Sequence, residues 1–343
     1  MQQKVLVSGA SGFIASHVTA QLLALGHRVT GTVRDPSDAA RVAHLRAMPG
    51  AENLTLVAAD LNGSDPFMAH ADVDVIQHLA SPYVVNVADP QRDLVNPAVQ
   101  GTLAMLRAAA AHGRVKRVVL TSSFAAVTDE PEDRVLTEAD WNQKSSLTRN
   151  PYYYSKTMAE RAAWAFMQQE KPGFDLVVIN PFLVVGPSHT RAVNTSPQIF
   201  VDMLRGAYPA VVALTWGMVD VRDVAAAHIA AMTKAGARGR YLCVSGNMSM
   251  AQVMAEMRAE GFSGKLPKLD LSGGFGTALM KLASRTQPSG TGSYLRSHLG
   301  RVPRYDTAKS RLDLGLEYRP AAESLRDTLA DLVKWGHIAP PRP

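Results

Sequence analysis

A strand, a glycine-rich turn and a helix near the N-terminus constrain the fold of this chain more than any other sequence feature. The apolar run Lys4–Ser8 leads into Gly9-Ala10-Ser11-Gly12, and residues 14–25 then carry apolar side chains at helical spacing. Gly9 can adopt the backbone angles of a tight turn, Gly12 lets a ligand approach the main chain, and Ala15 lets the helix pack closely on the sheet. Because a helix start offers N–H groups to phosphate oxygens, the turn predicts a dinucleotide site. The residues predicted to bind the cofactor here are Gly9, Ser11, Gly12, Phe13 and Ile14.

Strand and helix patterns alternate through the first half of the sequence. Six apolar runs are nearly continuous, as in strands buried on both faces: Lys4–Ser8, Arg28–Val33, Leu54–Ala58, 73–79, Arg117–Thr121 and 175–179. Helical patterns lie between them, including residues 92–111, where Pro97 is expected to break or kink the helix, and residues 152–169. Repeated strand–helix–strand units predict an α/β fold with a Rossmann-type, doubly wound parallel sheet.

The pattern loosens after Pro181. Residues 186–209 are rich in Ser, Thr, Pro and Asn, and residues 266–303 contain several glycines and prolines, so we expect both segments to be mobile. A smaller, partly discontinuous substrate-binding part is therefore expected beside the dinucleotide-binding domain. The expected division is residues 1–182 for the Rossmann domain, with 211–245 returning to it, and 183–210 and 246–343 for the substrate-binding part.

The composition excludes several classes of function. Of 343 residues, 46% are hydrophobic and 19% charged, as in an ordinary globular protein, and one cysteine cannot form an internal disulfide framework. The net charge of +6 is scattered rather than clustered, which argues against nucleic acid as a partner. The ten histidines show no metal-ligand spacing, so no metal is expected. No signal-peptide pattern and no membrane-spanning apolar stretch occur, so we expect a cytoplasmic protein with no membrane partner.

A tyrosine and a lysine at helical spacing provide the first candidate for chemistry. Tyr152-Tyr153-Tyr154-Ser155-Lys156 opens a predicted helix, and Tyr152 alone lies four residues before Lys156, so these two side chains share a face. A free phenol has a pKa of about 10, and a neighbouring ammonium lowers it toward neutral pH. Hydroxyl residues Ser122 and Ser123 end the fifth predicted strand, at the ligand-binding edge of the sheet. A serine there can donate a hydrogen bond to a substrate carbonyl.

The end of the second predicted strand indicates which dinucleotide is bound. NAD enzymes usually carry a carboxylate at this strand tip, whereas an arginine suits the 2′-phosphate of NADP. Val33 occupies the tip and Arg34 follows it, which favours NADP(H). Asp35 leaves an alternative open, because a register shift of one residue would present a carboxylate instead.

Motifs along nearly the whole chain carry a resemblance to a known family. They lie at residues 9–15, 32–36, 59–61, 78–82, 121–123, 152–156, 180–187, 221–225 and 239–245. Together they resemble the extended short-chain dehydrogenase/reductase family, in particular its branch of dihydroflavonol reductases, cinnamoyl-CoA reductases and microbial carbonyl reductases. Ala98 stands where many extended members have asparagine, which argues against nucleotide-sugar epimerases. Thr128 stands where plant dihydroflavonol reductases typically carry a substrate-binding asparagine.

The resemblance implies roles for further residues. It implies that Ser123 rather than Ser122 is the catalytic serine. Further cofactor contacts are implied at Asp60, Leu61, Ala80, Ser81, Thr121, Tyr152, Lys156, Pro181, Leu183 and Val184. An apolar substrate pocket is expected to include Pro82, Tyr83, Phe124 and Tyr153.

The predicted reaction is the NADPH-dependent reduction of an aldehyde, ketone or ketoester to an alcohol. Ser123 and Tyr152 would bind the carbonyl oxygen, Tyr152 would donate the proton, and Lys156 would tune Tyr152 and bind the nicotinamide ribose. The expected partner is a small carbonyl or alcohol substrate, bound by a monomer or homodimer. Two alternatives stay open: an NAD-dependent hydroxysteroid dehydrogenase or nucleotide-sugar epimerase of the same superfamily, and a non-catalytic nucleotide-sensing protein.

Overall fold

The main sheet contains seven parallel strands. The computed structural model describes residues 2–61, 63, 65–81, 87–262 and 264–341, apart from the Ser289 side chain. The strands are β1 (Lys4–Ser8), β2 (Arg28–Val33), β3 (Leu54–Ala58), β4 (Val75–His78), β5 (Arg117–Thr121), β6 (Asp175–Pro181) and β10 (Gly239–Cys243). Their order is β10-β6-β5-β4-β1-β2-β3, so the chain changes direction across the sheet between β1 and β4. In sheets of this kind the ligand crevice opens at that point, beyond the carboxyl ends of the strands.

Helices cover both faces of the main sheet. They are α1 (Phe13–Ala24), α2 (Ala39–Arg46), α3 (Asn96–His112), α4 (Pro151–Glu170) and α6 (Val221–Thr233). Val5 and Val7 of β1 pack in one core cluster with α1 and α6, whereas Leu6 points to the opposite cluster, which α3 and α4 cover. This alternation explains why the strands read as continuous apolar runs, because both faces are buried. The predicted fold class is confirmed.

A smaller part follows β6. Its sheets contain β7 (Leu183–Val185), β9 (Thr215–Asp220) and β11 (Gly246–Ser249), and β8 (Ala210–Val212) with β12 (Leu269–Leu271). Its helices are α5 (Thr195–Arg205), α7 (Met250–Ala259), α8 (Gly274–Ala283), α9 (Ser289–His298) and α11 (Ala321–Lys334); α10 (Ala308–Leu314) packs on β10 and α6. Met250, Met254 and Met257 share one core cluster with Leu325 and Leu329 of α11. The return to the main sheet consists of α6 and β10, whereas β8 and β9 pair outside it.

Two local features add detail to these expectations. The helical stretch changes its geometry at the predicted place: α3 begins at Asn96, and Pro97 lies in its first turn. A π-helical turn at Gln91–Val95 precedes it. Residues 186–209 and 266–303 are also more regular than their composition indicates, because they contain α5, α8 and α9. No helix in the described ranges is long and apolar enough to cross a membrane.

Candidate active site

The glycine turn lies against the end of a neighbouring strand. Gly9 has φ 65°, and a Cβ placed on it would lie 3.2 Å from the Cβ of Ala80, which follows β4. The N–H of Gly9 donates to Thr32 Oγ1 at 3.0 Å. Gly12 is the N-cap of α1 and provides no side-chain cap. A close backbone approach beside an uncapped helix start fits a bound diphosphate.

Ser8 connects this turn to the end of β4. Its Oγ accepts hydrogen bonds from the N–H groups of Leu79 and Ala80, both at 2.9 Å. The single Ser8 hydroxyl proton therefore goes to His78 Nδ1, 2.8 Å away. Burial, and next the charge of Lys156, lower the pKa of His78 to about 3, so this imidazole is neutral. No sequence feature indicated this role for Ser8 or His78.

Tyr152 and Lys156 share a face of α4, as their spacing predicts. The Lys156 Nζ lies 5.9 Å from the centroid of the Tyr152 ring and donates to Ser81 Oγ at 2.9 Å. Tyr152 is half-buried, whereas Lys156 is only 8% exposed. Burial lowers the pKa of Lys156 to about 8, and the Glu160 carboxylate one turn later opposes that shift. An ammonium beside a phenol favours the phenolate, which is the condition for acid–base work near neutral pH.

The two serines after β5 have different environments. Ser122 is buried and donates to Glu160 Oε2 at 2.5 Å, so its proton is committed inside the protein. Ser123 is half-buried, and its Oγ accepts from the N–H of Ala125 at 3.2 Å, a bond that uses a lone pair and not its proton. Of the two, Ser123 has the hydroxyl suited to bind a carbonyl oxygen.

A buried relay fixes the hydroxyl of Thr121. The Gln77 Nε2 donates to the backbone oxygen of His228 at 3.2 Å, so Gln77 Oε1 faces His228 Nδ1, 2.8 Å away, and accepts its proton. His228 Nε2 is then the unprotonated nitrogen and accepts from Thr121 Oγ1 at 2.9 Å. Burial lowers the pKa of His228 to about 3, which keeps the ring neutral. The Thr121 hydroxyl proton therefore points into the protein. No sequence feature indicated that Gln77 and His228 orient this hydroxyl.

Arg34 and Asp35 follow β2 and are both exposed. Asp35 Oδ1 accepts from the Oγ and the N–H of Ser37, at 2.6 and 2.8 Å, and these bonds lower the pKa of Asp35. Arg46 Nη2 donates to the backbone oxygen of Pro36 at 2.8 Å and supports the same turn. Asp35 is therefore engaged by its own turn, beside an exposed Arg34.

The remaining candidate residues have mixed outcomes. Asp60 and Leu61 follow β3, Pro181 ends β6, and Leu183 and Val184 belong to β7. Pro82 and Tyr83 lie outside the described residues. Phe124 is a correction: its side chain is 3% exposed, stacks on Phe182 at 4.4 Å between ring centroids, and belongs to a core cluster with Leu136 and Leu242. It packs inward because its turn lies directly over that cluster.

Tyr153 belongs to a group of rings that includes two residues of α9. The rings of Tyr152 and Tyr153 meet edge to face at 6.1 Å, and Tyr153 Oη lies 3.4 Å from His298 Nε2. His298 stacks on Tyr294 at 4.0 Å between centroids. Asn150, just before α4, donates its backbone N–H to Ser293 Oγ at 2.9 Å. The sequence assigned residues 246–343 to the substrate-binding part but did not identify these side chains.

The described residues offer no ligand set for a metal ion. Within the parts of the chain that the structure describes, no three His, Cys, Asp or Glu side chains group so that they could hold a metal ion.

Comparison with known proteins places these observations in context. Residues 5–243 match a model described as the NAD dependent epimerase/dehydratase family. A cinnamoyl-CoA reductase from Medicago truncatula is 36% identical over 340 residues, covering 96% of this chain and 95% of the relative. The structure of yeast methylglyoxal/isovaleraldehyde reductase Gre2 complexed with NADPH has a TM-score of 0.79 at 27% identity, covering 98% of this chain and 100% of that one. Gre2 from Candida albicans in complex with NADPH has a TM-score of 0.79 at 32% identity, covering 97% and 99%.

Proposed function

Because the chain belongs to the NAD dependent epimerase/dehydratase family, we propose that it reduces the carbonyl of a small aldehyde, ketone or ketoester through Ser123, Tyr152 and Lys156. It is an NAD(P)-dependent reductase of the extended short-chain dehydrogenase/reductase type, since relatives that match almost its whole length are reductases. Its cofactor is NADP(H), the cofactor of the two similar complexes. The observation that carries the proposal is the buried Lys156 ammonium held beside the Tyr152 ring.

The residues present fit this cofactor. A Cβ on Gly9 would crowd Ala80, and the start of α1 has no side-chain cap at Gly12, so backbone N–H groups can face diphosphate oxygens. Arg34 would bind the 2′-phosphate, and Lys156 the nicotinamide ribose. When bound, NADPH supplies a hydride to the carbonyl carbon.

The side chains of this protein act on the carbonyl oxygen. Ser123 donates a hydrogen bond to that oxygen, where negative charge develops, and Tyr152 donates first a hydrogen bond and then its proton. Lys156 stabilises the phenolate that Tyr152 becomes. Ser122 takes no part in proton transfer, because its hydroxyl is bonded to Glu160.

The ring group at the start of α4 supports an apolar or aromatic substrate. Tyr153, Tyr294 and His298 form a wall next to Tyr152, and burial lowers the pKa of His298 to about 4, so this ring is uncharged. Uncharged rings favour an aryl or alkyl group beside the reacting carbonyl over a phosphorylated one.

The test is a panel of aldehydes, ketones and ketoesters assayed with NADPH and with NADH. The Tyr152→Phe variant should lose at least ~10²–10⁴-fold in kcat, the contribution of a general acid, while its NADPH affinity stays close to that of the wild type. Tyr154→Phe, two residues along the same helix turn, is the matched control and should keep its activity.

Two results would contradict the proposal. One is a wild-type protein for which no carbonyl compound of the panel supports the oxidation of NADPH. The other is a fully active Tyr152→Phe alongside an inactive Tyr153→Phe or Tyr154→Phe, which would place the proton donor elsewhere.

A further inference from the structure

A buried carboxylate lies directly behind the candidate catalytic residues. Glu160 is four residues after Lys156 on α4, and its side chain is completely buried. Its Oε1 lies 2.6 Å from Arg240 Nε, and its Oε2 accepts from Ser122 Oγ at 2.5 Å and from Asn180 Nδ2 at 2.8 Å. Tyr152, Lys156 and Glu160 are thus spaced one turn apart on one helix face.

Besides Trp164 of its own helix, whose Nε1 donates to Oε1 at 3.3 Å, the partners of Glu160 come from the ends of β5 and β6 and from β10. Ser122 directly precedes Ser123 after β5. Asn180 precedes Pro181 at the end of β6, and its Nδ2 also donates to the backbone oxygen of Ser123 at 3.1 Å. Glu160 therefore connects α4 to the ends of two strands that border the ligand crevice.

The third partner, Arg240 of β10, is itself fixed from several sides. Its guanidinium carbon lies 4.0 Å from the centroid of the Trp141 ring, and Nη1 donates to the backbone oxygens of Glu138 and Asp140. A rigid arginine holds a carboxylate in one place and orientation. The carboxylate at position 160 is consequently a fixed point between β10 and the helix that carries Tyr152.

Stability alone is a weak reason for such an arrangement. Desolvating two charges costs about as much as their attraction returns, so replacing a buried ion pair with apolar side chains is often neutral or stabilising. A role for the charge itself therefore deserves a test.

The charges around Lys156 show what that role is. On its own helix it faces Tyr152 and Glu160, and from β4 it faces His78, which is neutral. On the turn packed against α4, Arg92 and Asp93 pair with each other. The exposed Arg107 of α3 faces solvent. The carboxylate that opposes the effect of burial on the Lys156 ammonium is Glu160.

We propose that Glu160 is a positioning residue of the active site, which holds Ser123 in register with Tyr152 and keeps Lys156 charged. The inference rests on the proposed reductase function. It assigns Glu160 no contact with substrate or cofactor.

The experiment compares Glu160→Gln with Glu170→Gln, the same substitution at an exposed position at the end of α4. We expect Glu160→Gln to lower kcat by about tenfold or more, toward the ~10²-fold cost of a 1 Å misplacement, with the KM for NADPH within about twofold. The high-pH limb of its kcat profile should move down by about one pH unit, because the lysine loses its anion. Glu170→Gln should match the wild type in both respects.

A second variant distinguishes a loss of catalysis from a loss of folding. Glu160→Gln leaves Arg240 buried without its anion, so Glu160→Gln/Arg240→Gln removes both charges together. If Glu160 is only structural, both variants lose thermal stability while the folded protein keeps the wild-type kcat and high-pH limb, and the inference fails.

A readout without turnover separates this inference from the proposed function. The rate of reductive methylation of Lys156, followed by mass spectrometry across pH, reports the fraction of uncharged amine. Its midpoint should move to lower pH in Glu160→Gln even if no carbonyl substrate is found. An unmoved midpoint in a folded, soluble variant would overturn the inference regardless of the reaction catalysed.

Discussion

Arg34 and Asp35 are adjacent, yet their side chains have different surroundings. Both hydrogen bonds from Ser37 end on Asp35 Oδ1 and hold this carboxylate in its own turn. Arg34 is exposed at the end of β2, where a guanidinium can form paired, charge-assisted bonds to a phosphate. An exposed guanidinium at this strand tip favours the 2′-phosphorylated cofactor.

The wild type should prefer NADPH to NADH by about one to two decades in kcat/KM. This follows from ~1.5–3 kcal/mol for a hydrogen bond to a charged group. Arg34→Ala should erase most of this preference by weakening NADPH while leaving NADH almost unchanged. Asp35→Ala is the control and should leave the ratio of kcat/KM values as it is. An Asp35→Ala variant that loses activity only with NADH would instead identify Asp35 as the residue that selects the cofactor.

Single residues also show where sequence reasoning ends. The shared face of Tyr152 and Lys156 could be predicted, because four-residue spacing is a property of any α-helix. The continuation of that spacing to Glu160 was available as a signal and was missed. Its partners could not be inferred, because Ser122 and Arg240 are 38 and 80 residues away and meet Glu160 only through the strand order.

The turn between β1 and α1 depends on Gly9 for two separate reasons. Its φ of 65° is a left-handed conformation that other residues adopt only with strain, and a Cβ would also press on Ala80. Gly26, just after α1, has a similar φ of 74° but no atom within 4 Å of such a Cβ. Comparing substitutions at Gly9 and at Gly26 therefore separates the effect of backbone strain from that of steric contact at the cofactor site.

Gly9→Ala and Gly26→Ala should each lose about 1–2 kcal/mol of unfolding free energy through backbone strain. Only Gly9→Ala should also weaken NADPH binding, because the added methyl group displaces the turn from Ala80. Urea unfolding and NADPH titration measure the two effects. Equal NADPH affinity in the two variants would show that the close approach of Gly9 to Ala80 has no part in binding.

Helix α9 shows why element boundaries in the second part could not be predicted. Gly290 and Gly292 lie within it, and glycine is unfavourable in a helix by about 1 kcal/mol. Tertiary packing outweighs this cost, because Tyr294 and Leu295 pack against the core cluster that contains Met250 and Leu325. At Gly292 a Cβ would lie 2.5 Å from the backbone oxygen of Ser284, so the glycine allows the helix to approach its neighbour.

Across the whole molecule, burial keeps several histidines uncharged. It lowers the pKa of His17 to about 4, of His78 and His228 to about 3, and of His298 to about 4. In the unfolded chain these rings bind protons near pH 6.5. Between about pH 6.5 and 4 the unfolded state therefore holds more protons, so the stabilisation is complete above pH 6.5 and is lost as pH falls toward 4.

We expect the unfolding free energy to decline steeply on acidification from pH 6.5 to 4. His17→Gln should reduce the slope by up to ~1.4 kcal/mol per pH unit, the amount for one proton. His112→Gln, on the exposed end of α3, is the control and should leave the slope unchanged. Urea titrations at several pH values in this range measure the unfolding free energy and so its slope against pH. Equal slopes in the wild type and in His17→Gln would contradict the prediction.

The strand order also bears on how the protein is made. Strand β10 is the last of the seven main-sheet strands along the chain, yet it pairs with β6 and carries Arg240. While the ribosome is still synthesising residues before 239, β6 has an open edge of the kind that recruits other chains. A nascent chain that already contains Ser123, Tyr152 and Lys156 also lacks the cation for Glu160. The main sheet and the active site are therefore both completed only when β10 emerges from the ribosome. Until then, the β6 edge is the part of the nascent chain that most needs protection by a chaperone.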